Sequence, residues 1–467
     1  MSNGETALQA LGTITDRGWL VGGALRDRLL GRPTADYDVA IEDEPGPVAQ
    51  ALAKSADGHA FMLSEGFGCW RVVARDRTWQ IDLLPLAGET IEADLRKRDL
   101  TVNALAEPLG GGPHVDPFGG LEDLRSGRLR MVSPSAFESD ALRTLRLARL
   151  AGELGFSVEP ETAIFARRSA PALAAVAPER IFAELKRIVA GPTVLRGLEL
   201  MDERGVTSAV LPELTELRGV EQSRYHHLDV YEHTRAVVAE AVALEQDPEP
   251  SFGAQAAAVR RLLAEPFAHE LTRGHALRFG ALFHDIAKPR TRATTAEGRV
   301  TFMGHDAAGA GMARAVLVRL RASERLADHV AALTRHHLRL GFLVHSMPLT
   351  RRQIYGYMRA CAPVQADVTL LSVADRLATR GRGSDDAISK HLELARQLLG
   401  EALDWAEHPP RPPVRGDRLA RVLGIKPGPE LGKILAELEA ASFAGEVQGP
   451  EQAIERARAL LSNLPGR

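Results

Sequence analysis

Cysteine is nearly absent. Cys69 and Cys361 are the only two in 467 residues, too few for a disulfide framework or a Cys-rich zinc site. An excess of one charge is also missing, since 58 Lys and Arg face 61 Asp and Glu for a net charge of −3. The chain is therefore no global polycation, and any nucleic-acid contact has to use local patches. No stretch is apolar enough to cross a bilayer, and residues 1–20 lack a charged start followed by an apolar run and a cleavage site. The expectation is a cytoplasmic protein without membrane contact. What is present, 45% apolar and 25% charged residues, excludes a wholly disordered, collagenous or membrane-embedded chain. At roughly 100–200 residues per domain, the length suggests about three domains.

The first ~130 residues read as mixed α/β. Short apolar runs at 19–21, 38–41, 70–73 and 80–84 are separated by Gly, Pro and Asp. From Ser139 onward Leu142, Leu145, Leu147, Leu150 and Leu154 recur at helical spacing, and helix-length segments follow almost to the end. Breaks are expected at 108–117, at 212–223 and at 408–413, where consecutive prolines exclude helix. Residues 247–251 and 293–298 read as surface loops. The predicted class is α+β, a small α/β head followed by a long helical body.

Chemistry-bearing residues gather in the head. In Val21-Gly22-Gly23-Ala24-Leu25-Arg26-Asp27, two residues without side chains at a strand-to-helix turn let backbone N–H groups approach a phosphate. Arg26 would add a charge-assisted contact. Asp36 and Asp38 stand at i and i+2 on one strand face, the arrangement that holds Mg²⁺, and Asp82 in another strand offers a third carboxylate. In residues 94–104, three cations, Arg96, Lys97 and Arg98, precede Asp99 and a half-apolar segment read as a strand. A solvated strand start and a charged helix end are the structural alternatives for these two segments.

In this order, Gly-Gly-x-x-Arg-Asp, Asp-x-Asp and Arg-Asp-x-x-x-Asn-Ala resemble the class II tRNA nucleotidyltransferases, the CCA-adding and bacterial poly(A) polymerase family. The resemblance continues through Asp116–Leu124, Asp140-Ala141-Leu142-Arg143-x-x-Arg146 and Pro178-Glu179-Arg180-Ile181-x-x-Glu184, and so covers residues ~20–190. It implies that Asp36, Asp38 and Asp82 are catalytic, with Mg²⁺ on Asp36 and Asp38. It further implies nucleotide binding by Gly22, Gly23, Arg26, Asp27, Arg98, Asp99, Asn103, Asp140, Arg143 and Arg146, with CTP, ATP and tRNA as partners. Cytosine and adenine both pair an exocyclic amine with a ring-nitrogen acceptor. Asp140 accepting from the amine and Arg143 donating to the ring nitrogen would select C and A without a template.

Two departures from the family pattern stand out. Ser139 occupies a position where relatives carry Glu, which removes a carboxylate that would position the arginine. Only residues 83–93 separate Asp82 from Asp94-Leu95-Arg96, where relatives have a flexible loop of a dozen or more residues. Loss of that loop resembles enzymes that add only the two cytidines.

The body carries a second candidate site. His284-Asp285 ends an apolar helix, with His233 upstream and Asp375 downstream, and the set resembles the metal site of HD-domain phosphohydrolases. That implies a divalent transition metal on His233, His284, Asp285 and Asp375, with His305, His336 and His337 available for a second ion or a phosphate. A satisfied core histidine at 284 and ordinary helix histidines at 336 and 337 are the alternative. Beyond the proline-rich linker, a Gly-Pro-rich turn before a helix resembles the tail of family members, so that Lys426 and Lys433 are expected to meet RNA phosphates, with duplex RNA recognised by shape. Arg180, in the Pro178–Glu184 match, is expected on RNA as well.

The expected organisation is a nucleotidyltransferase head at 1–135, a helical neck and base- or RNA-binding region at 136–215, an HD-type domain at 216–405 and an RNA-binding tail at 414–467. The expected function is addition of C, A or both to the tRNA 3′ end. A CC-only enzyme, a poly(A) polymerase, and an RNA-binding HD phosphohydrolase with a degenerate head are the alternatives.

Overall fold

The structure is a computed structural model that describes residues 3–64, 66, 68–222, 228–379 and 384–462. It divides into two compact units, one ending at Val210 and the other beginning at Leu211. The first unit holds a six-stranded sheet of β1 (Gly18–Val21), β2 (Asp36–Ile41), β3 (Gly58–Ser64), β4 (Cys69–Ala74), β5 (Gln80–Pro85) and β6 (Ala106–Pro108). Their order is β3-β4-β5-β2-β1-β6. The β2–β5 pair is parallel, and the other pairings are antiparallel.

The central strands hold their places because Leu20, Val39, Ile41, Ile81 and Leu83 bury fully, the largest favourable contribution to such a sheet. At the end of β1, Gly22 takes a φ of +70°. A left-handed residue of this kind turns strand into the helix Gly22–Leu29 at little cost only when it lacks a Cβ.

The helix Leu142–Leu154 follows the sheet and ends at Gly155 in the left-handed region, a common helix terminator. The helix Pro178–Ala190 starts on a proline whose missing N–H costs nothing there. It buries Ile181, Phe182, Leu185, Ile188 and Val189 as one stripe.

Among the described residues, the regular structure of the second unit is helical apart from a hairpin of two short strands, Ala293–Thr294 with Val300–Thr301. Helix Val230–Gln246 packs on Gln365–Ala378 and on Arg273–Phe283, and the last of these packs on Glu324–His336. Gly280 permits that last approach, because a Cβ there would stand 2.5 Å from Leu333 Cδ1. Helices Gly416–Leu423, Pro429–Phe443 and Gly449–Ser462 share a small core around Leu419, Ile434, Leu438 and Ala457. Arg352 pairs with Glu437 and Glu446, and Tyr355, Trp405 and Phe443 form a triangle of rings with centroids 5.6 Å apart. These contacts anchor the tail helices within this unit.

Several sequence expectations are corrected. The segment after Asp99 is a 3₁₀ turn, Thr101–Asn103, rather than a strand, because Asp99 Oδ1 accepts from both Leu100 N–H and Asn103 Nδ2 and folds the chain around itself. Residues 249–252 form a helical turn and 293–301 form the hairpin, where loops were expected. Strand β3 carries consecutive exposed apolar residues, so its period-2 signal is absent.

Candidate functional site

In the head, the β2–β5 register sets Asp38 directly opposite Asp82, and Asp36 opposite Gln80. Gln80 Nε2 donates to Asp36 Oδ1 at 2.9 Å. The two oxygens of Asp82 accept from Arg71 Nε and Nη2 at 2.6 and 2.7 Å. Asp82 thus stands beside Asp38, but a guanidinium already neutralises it. Burial pushes the Asp38 carboxyl up to about 6; Arg98 opposes the shift, and Asp36 and Asp82 add to it. Negative charge in excess where half-buried Asp38 stands beside exposed Asp36 is what a divalent cation relieves, so Asp36 and Asp38 fit the implied metal.

Next to these acids lies a cavity of about 280 Å³, lined by Gly22, Gly23, Lys97, Arg98, Asn103 and Arg143, among others. A Cβ on Gly22 would come within 3.0 Å of Arg98 Nη1 and 3.4 Å of Asp38 Oδ2, so the bare backbone there keeps the space between acid and cation open. Arg98 is fixed by Asp94 at 3.0 and 3.1 Å.

Behind the cavity runs a relay of charges. Asp27 grips Arg26 at 3.0 Å through both oxygens, and Arg26 Nη1 donates to Asn103 Oδ1 at 2.7 Å. Asn103 Nδ2 donates to Asp99, whose other oxygen accepts from Arg146 at 3.2 Å. Glu184 then joins Arg146 and Arg149. Burial works against the Asp99 charge, yet Arg146, the Asn103 amide and the Leu100 N–H outweigh it and hold its pKa below the ordinary carboxylate value. Asp27 and Asp99 thus orient cations, and Arg98, Asp99, Asn103, Arg143 and Arg146 line the cavity itself.

Arg143 is held almost wholly by neutral acceptors. Its Nη1 donates to the Ala136 carbonyl at 3.0 Å and to Ser139 Oγ at 3.3 Å, and its Nη2 to the Lys97 carbonyl at 2.6 Å. The hydroxyl of Ser139 thus supports Arg143 in the absence of a carboxylate. Asp140 accepts from Leu142 N–H at 3.2 Å and from Arg180 Nη2 at 2.6 Å. Arg180, expected on RNA, is half exposed and pairs with the Asp140 carboxylate.

The second unit brings all four expected HD residues together with His305 and His337, two of the three histidines expected for a second ion or a phosphate. His233, His284 and Asp375 form one group of ligand atoms within 4.8 Å of one another, and Asp285, His305 and His337 form another. The Nδ1 atoms of His284, His305 and His337 lie 2.8, 2.7 and 2.7 Å from the carbonyls of Ala281, Phe302 and Thr334. A carbonyl accepts only, so each Nδ1 carries the proton and each Nε2 presents a lone pair to the centre, the tautomer a metal needs. Buried His284 Nε2 makes no hydrogen bond, and the donor set of imidazoles and carboxylates suits a divalent transition metal.

Burial pushes His337 down to about 4, and His284 beside it adds to the shift. For His284, burial is outweighed by Asp285, so its pKa is raised. Burial also opposes the charges of Asp285 and Asp375; His284 and Lys288 hold the first well below the usual carboxylate range, and His233 lowers the second. His336 is corrected as a ligand. It is outside both groups, and its Nδ1 accepts from Arg339 at 2.9 Å. Lys426 and Lys433 are exposed on the tail, the first in the turn and the second on helix Pro429–Phe443.

Sequence reasoning missed Arg71, Asp94, Arg149 and Lys288. Lys288 Nζ lies 2.6 Å from Asp285 Oδ2, and only its place three residues after Asp285 on a tight turn signalled it. Arg71 gave no signal, because its role follows from strand register alone.

The fold and the two sites define a nucleotidyltransferase head joined to an HD domain. The description "Poly A polymerase head domain" matches residues 18–130, "Probable RNA and SrmB- binding site of polymerase A" matches 155–217, and "HD domain" matches 230–380. The chain is 36% identical over 453 residues to an A-adding tRNA nucleotidyltransferase of Deinococcus radiodurans, covering 96% of each chain. It is 34% identical to a CC-adding tRNA nucleotidyltransferase of Thermus thermophilus, covering 93% of this chain and 91% of that one. In fold it is similar to the Thermotoga maritima CCA-adding enzyme complexed with tRNA, with a TM-score of 0.61 at 19% identity over 98% of this chain and 95% of the other. The chain belongs to the tRNA nucleotidyltransferase family.

Proposed function

We propose that the protein adds nucleotides to the 3′ end of tRNA in the cytoplasm, taking CTP, ATP or both and releasing pyrophosphate without a template. The observation that carries this reading is the cavity that joins Asp38, the Gly22-Gly23 turn and the base-selecting Arg143 in one space. The RNA 3′-oxygen attacks the α-phosphorus, its proton leaves, and the bond to the β-phosphate oxygen breaks so that pyrophosphate carries the electron pair away. Mg²⁺ on Asp36 and Asp38 would activate the hydroxyl and stabilise the leaving charge. Backbone N–H groups after Gly22 and the Arg98 guanidinium hold the triphosphate, while Arg26 braces Asn103 behind the cavity. Arg143 donates to the ring nitrogen and Asp140, oriented by Arg180, accepts from the exocyclic amine, a pairing that C and A satisfy and U and G do not.

The connection between β5 and helix Ile91–Leu95 is confined to residues 86–90, which favours an enzyme that stops after two cytidines. The test offers Mg²⁺, CTP and ATP, separately and together, to tRNAs ending at the discriminator base, at C and at CC. A halt after CC supports the CC-only reading, and addition of A to the CC end overturns it. No incorporation on any end by folded, tRNA-binding protein overturns the nucleotidyltransferase reading.

The two groups of three ligands in the second unit favour a further activity, hydrolysis of a phosphate ester at a transition-metal site. Release of phosphate from such esters by metal-loaded protein, lost with Asp285→Asn, is the check.

A further inference from the structure

The residues assigned so far account for the incoming nucleotide but leave the RNA end without a seat. Directly opposed residues on neighbouring strands project to the same face of a sheet. The pairings Phe61–Arg71, Arg71–Asp82 and Asp82–Asp38 therefore lay four side chains in one row across β3, β4, β5 and β2. Three inter-strand steps of roughly 4.8 Å put the Phe61 backbone about 14 Å from that of Asp38, a span of a few nucleotides. Beyond Asp38 on the opposite side stand β1 and the Gly22-Gly23 turn, where the triphosphate is held.

In-line displacement needs the attacking oxygen and the leaving pyrophosphate on opposite sides of the phosphorus. With pyrophosphate toward β1, the 3′-hydroxyl arrives from the side of β5 and β4. What the row offers there is a cation and then an exposed ring. Arg71 engages Asp82 with Nε and Nη2, which leaves Nη1 to meet a phosphate. Phe61 is 45% exposed on the edge strand of the sheet. Exposed aromatic rings interleaved with cations form the usual platform for single-stranded nucleic acid, because every base has a stacking face.

We propose that Phe61 and Arg71 form the seat of the RNA primer: a base just behind the reactive 3′-hydroxyl stacks on the Phe61 ring, and Arg71 Nη1 contacts the intervening phosphate. The proposal rests on the reading of the head as a nucleotide-adding site, and its test separates the two.

The experiment uses the full chain, with tRNA ending at the discriminator base, CTP and Mg²⁺, and compares wild type with Phe61→Ala and Phe61→Trp. Phe61→Ala is expected to raise the KM for tRNA about tenfold or more, the usual weight of one lost stack, with the KM for CTP and kcat at saturating tRNA unchanged. Phe61→Trp is expected to restore the tRNA KM and to show indole quenching on adding tRNA, beyond that of wild type. An unchanged tRNA KM in Phe61→Ala together with no added quenching in Phe61→Trp overturns the seat. So does a change of oligomeric state alone, which would make the exposed edge a contact between copies. Should wild type add nothing, the reading of the head fails by itself, and the quenching titration still decides whether RNA sits on residue 61.

Discussion

The two sites of this chain solve opposite electrostatic problems. The head site is an open cavity walled by arginines, each fixed by an acid or by backbone carbonyls: Arg98 by Asp94, Arg146 by Asp99, Arg143 by Lys97 and Ala136. The HD site is more enclosed, with His284, Asp285 and His337 at most 2% exposed, although His337 and Asp375 line a cavity of about 360 Å³ and Lys288 Nζ pairs with Asp285. The first site receives a large, highly charged, transient ligand, so its charges are held in place beforehand and left facing solvent. The second fits a small cation, its histidines oriented by backbone carbonyls and most of its ligands buried.

If that contrast holds, each site breaks by itself. The largest effect is expected from Asp36→Ala, which should lower nucleotide addition by at least about a thousandfold, several kcal/mol of barrier. Metal bound at the HD site, measured by elemental analysis, should stay unchanged. His284→Ala should do the reverse, abolishing stoichiometric transition-metal binding with addition intact. Glu184→Gln tests the relay between neck and head. It leaves Arg146 and buried Arg149 without their shared partner, and denaturant unfolding should show a loss of about 3 kcal/mol.

A smaller effect sharpens the account of base selection. Ser139→Ala removes one neutral hydrogen bond to Arg143 and should lower kcat/KM for CTP by about fivefold, the weight of ~1 kcal/mol. The smallest concerns His391, buried beside Ser372. Burial pushes its pKa down from 6.5 to about 4, with Arg376 adding to the shift against Asp375. The unfolded chain therefore binds the proton more readily, so stability is full above the ordinary histidine value and declines as pH falls from there toward 4. Melting temperatures of metal-free protein at pH 7 and pH 5 should show this decline, and His391→Gln should make it smaller, with buried His337 keeping its own share.

How much of this was legible in the sequence follows the same division. The head's motifs were readable because its chemistry is packed into short segments: Gly22-Gly23, Asp36 and Asp38, and residues 96–103. The clamps on those groups were not. Arg71 reaches Asp82 through strand pairing, and Arg180 reaches Asp140 from a helix forty residues on; neither relation leaves a local pattern. In the HD unit the order of His and Asp residues was readable, but the choice between His336 and His337 was not. Neighbouring helix residues point about 100° apart, and which of them faces the centre depends on how Glu324–His336 is rotated against Arg273–Phe283. That rotation is set by packing, at Gly280 against Leu333. The strand β3 was invisible for a related reason, since an edge strand with both faces exposed loses its alternation.

The central claim is that side chains in the head, without a template, choose the base that is added. The most direct test is single-turnover addition of each of the four nucleoside triphosphates to tRNA ending at the discriminator base, with Mg²⁺ and the full chain. The account predicts that CTP is incorporated and that UTP and GTP are refused, with the discrimination collapsing in Arg143→Ala. Equal use of all four nucleotides by wild type, or discrimination that survives in Arg143→Ala, would contradict it.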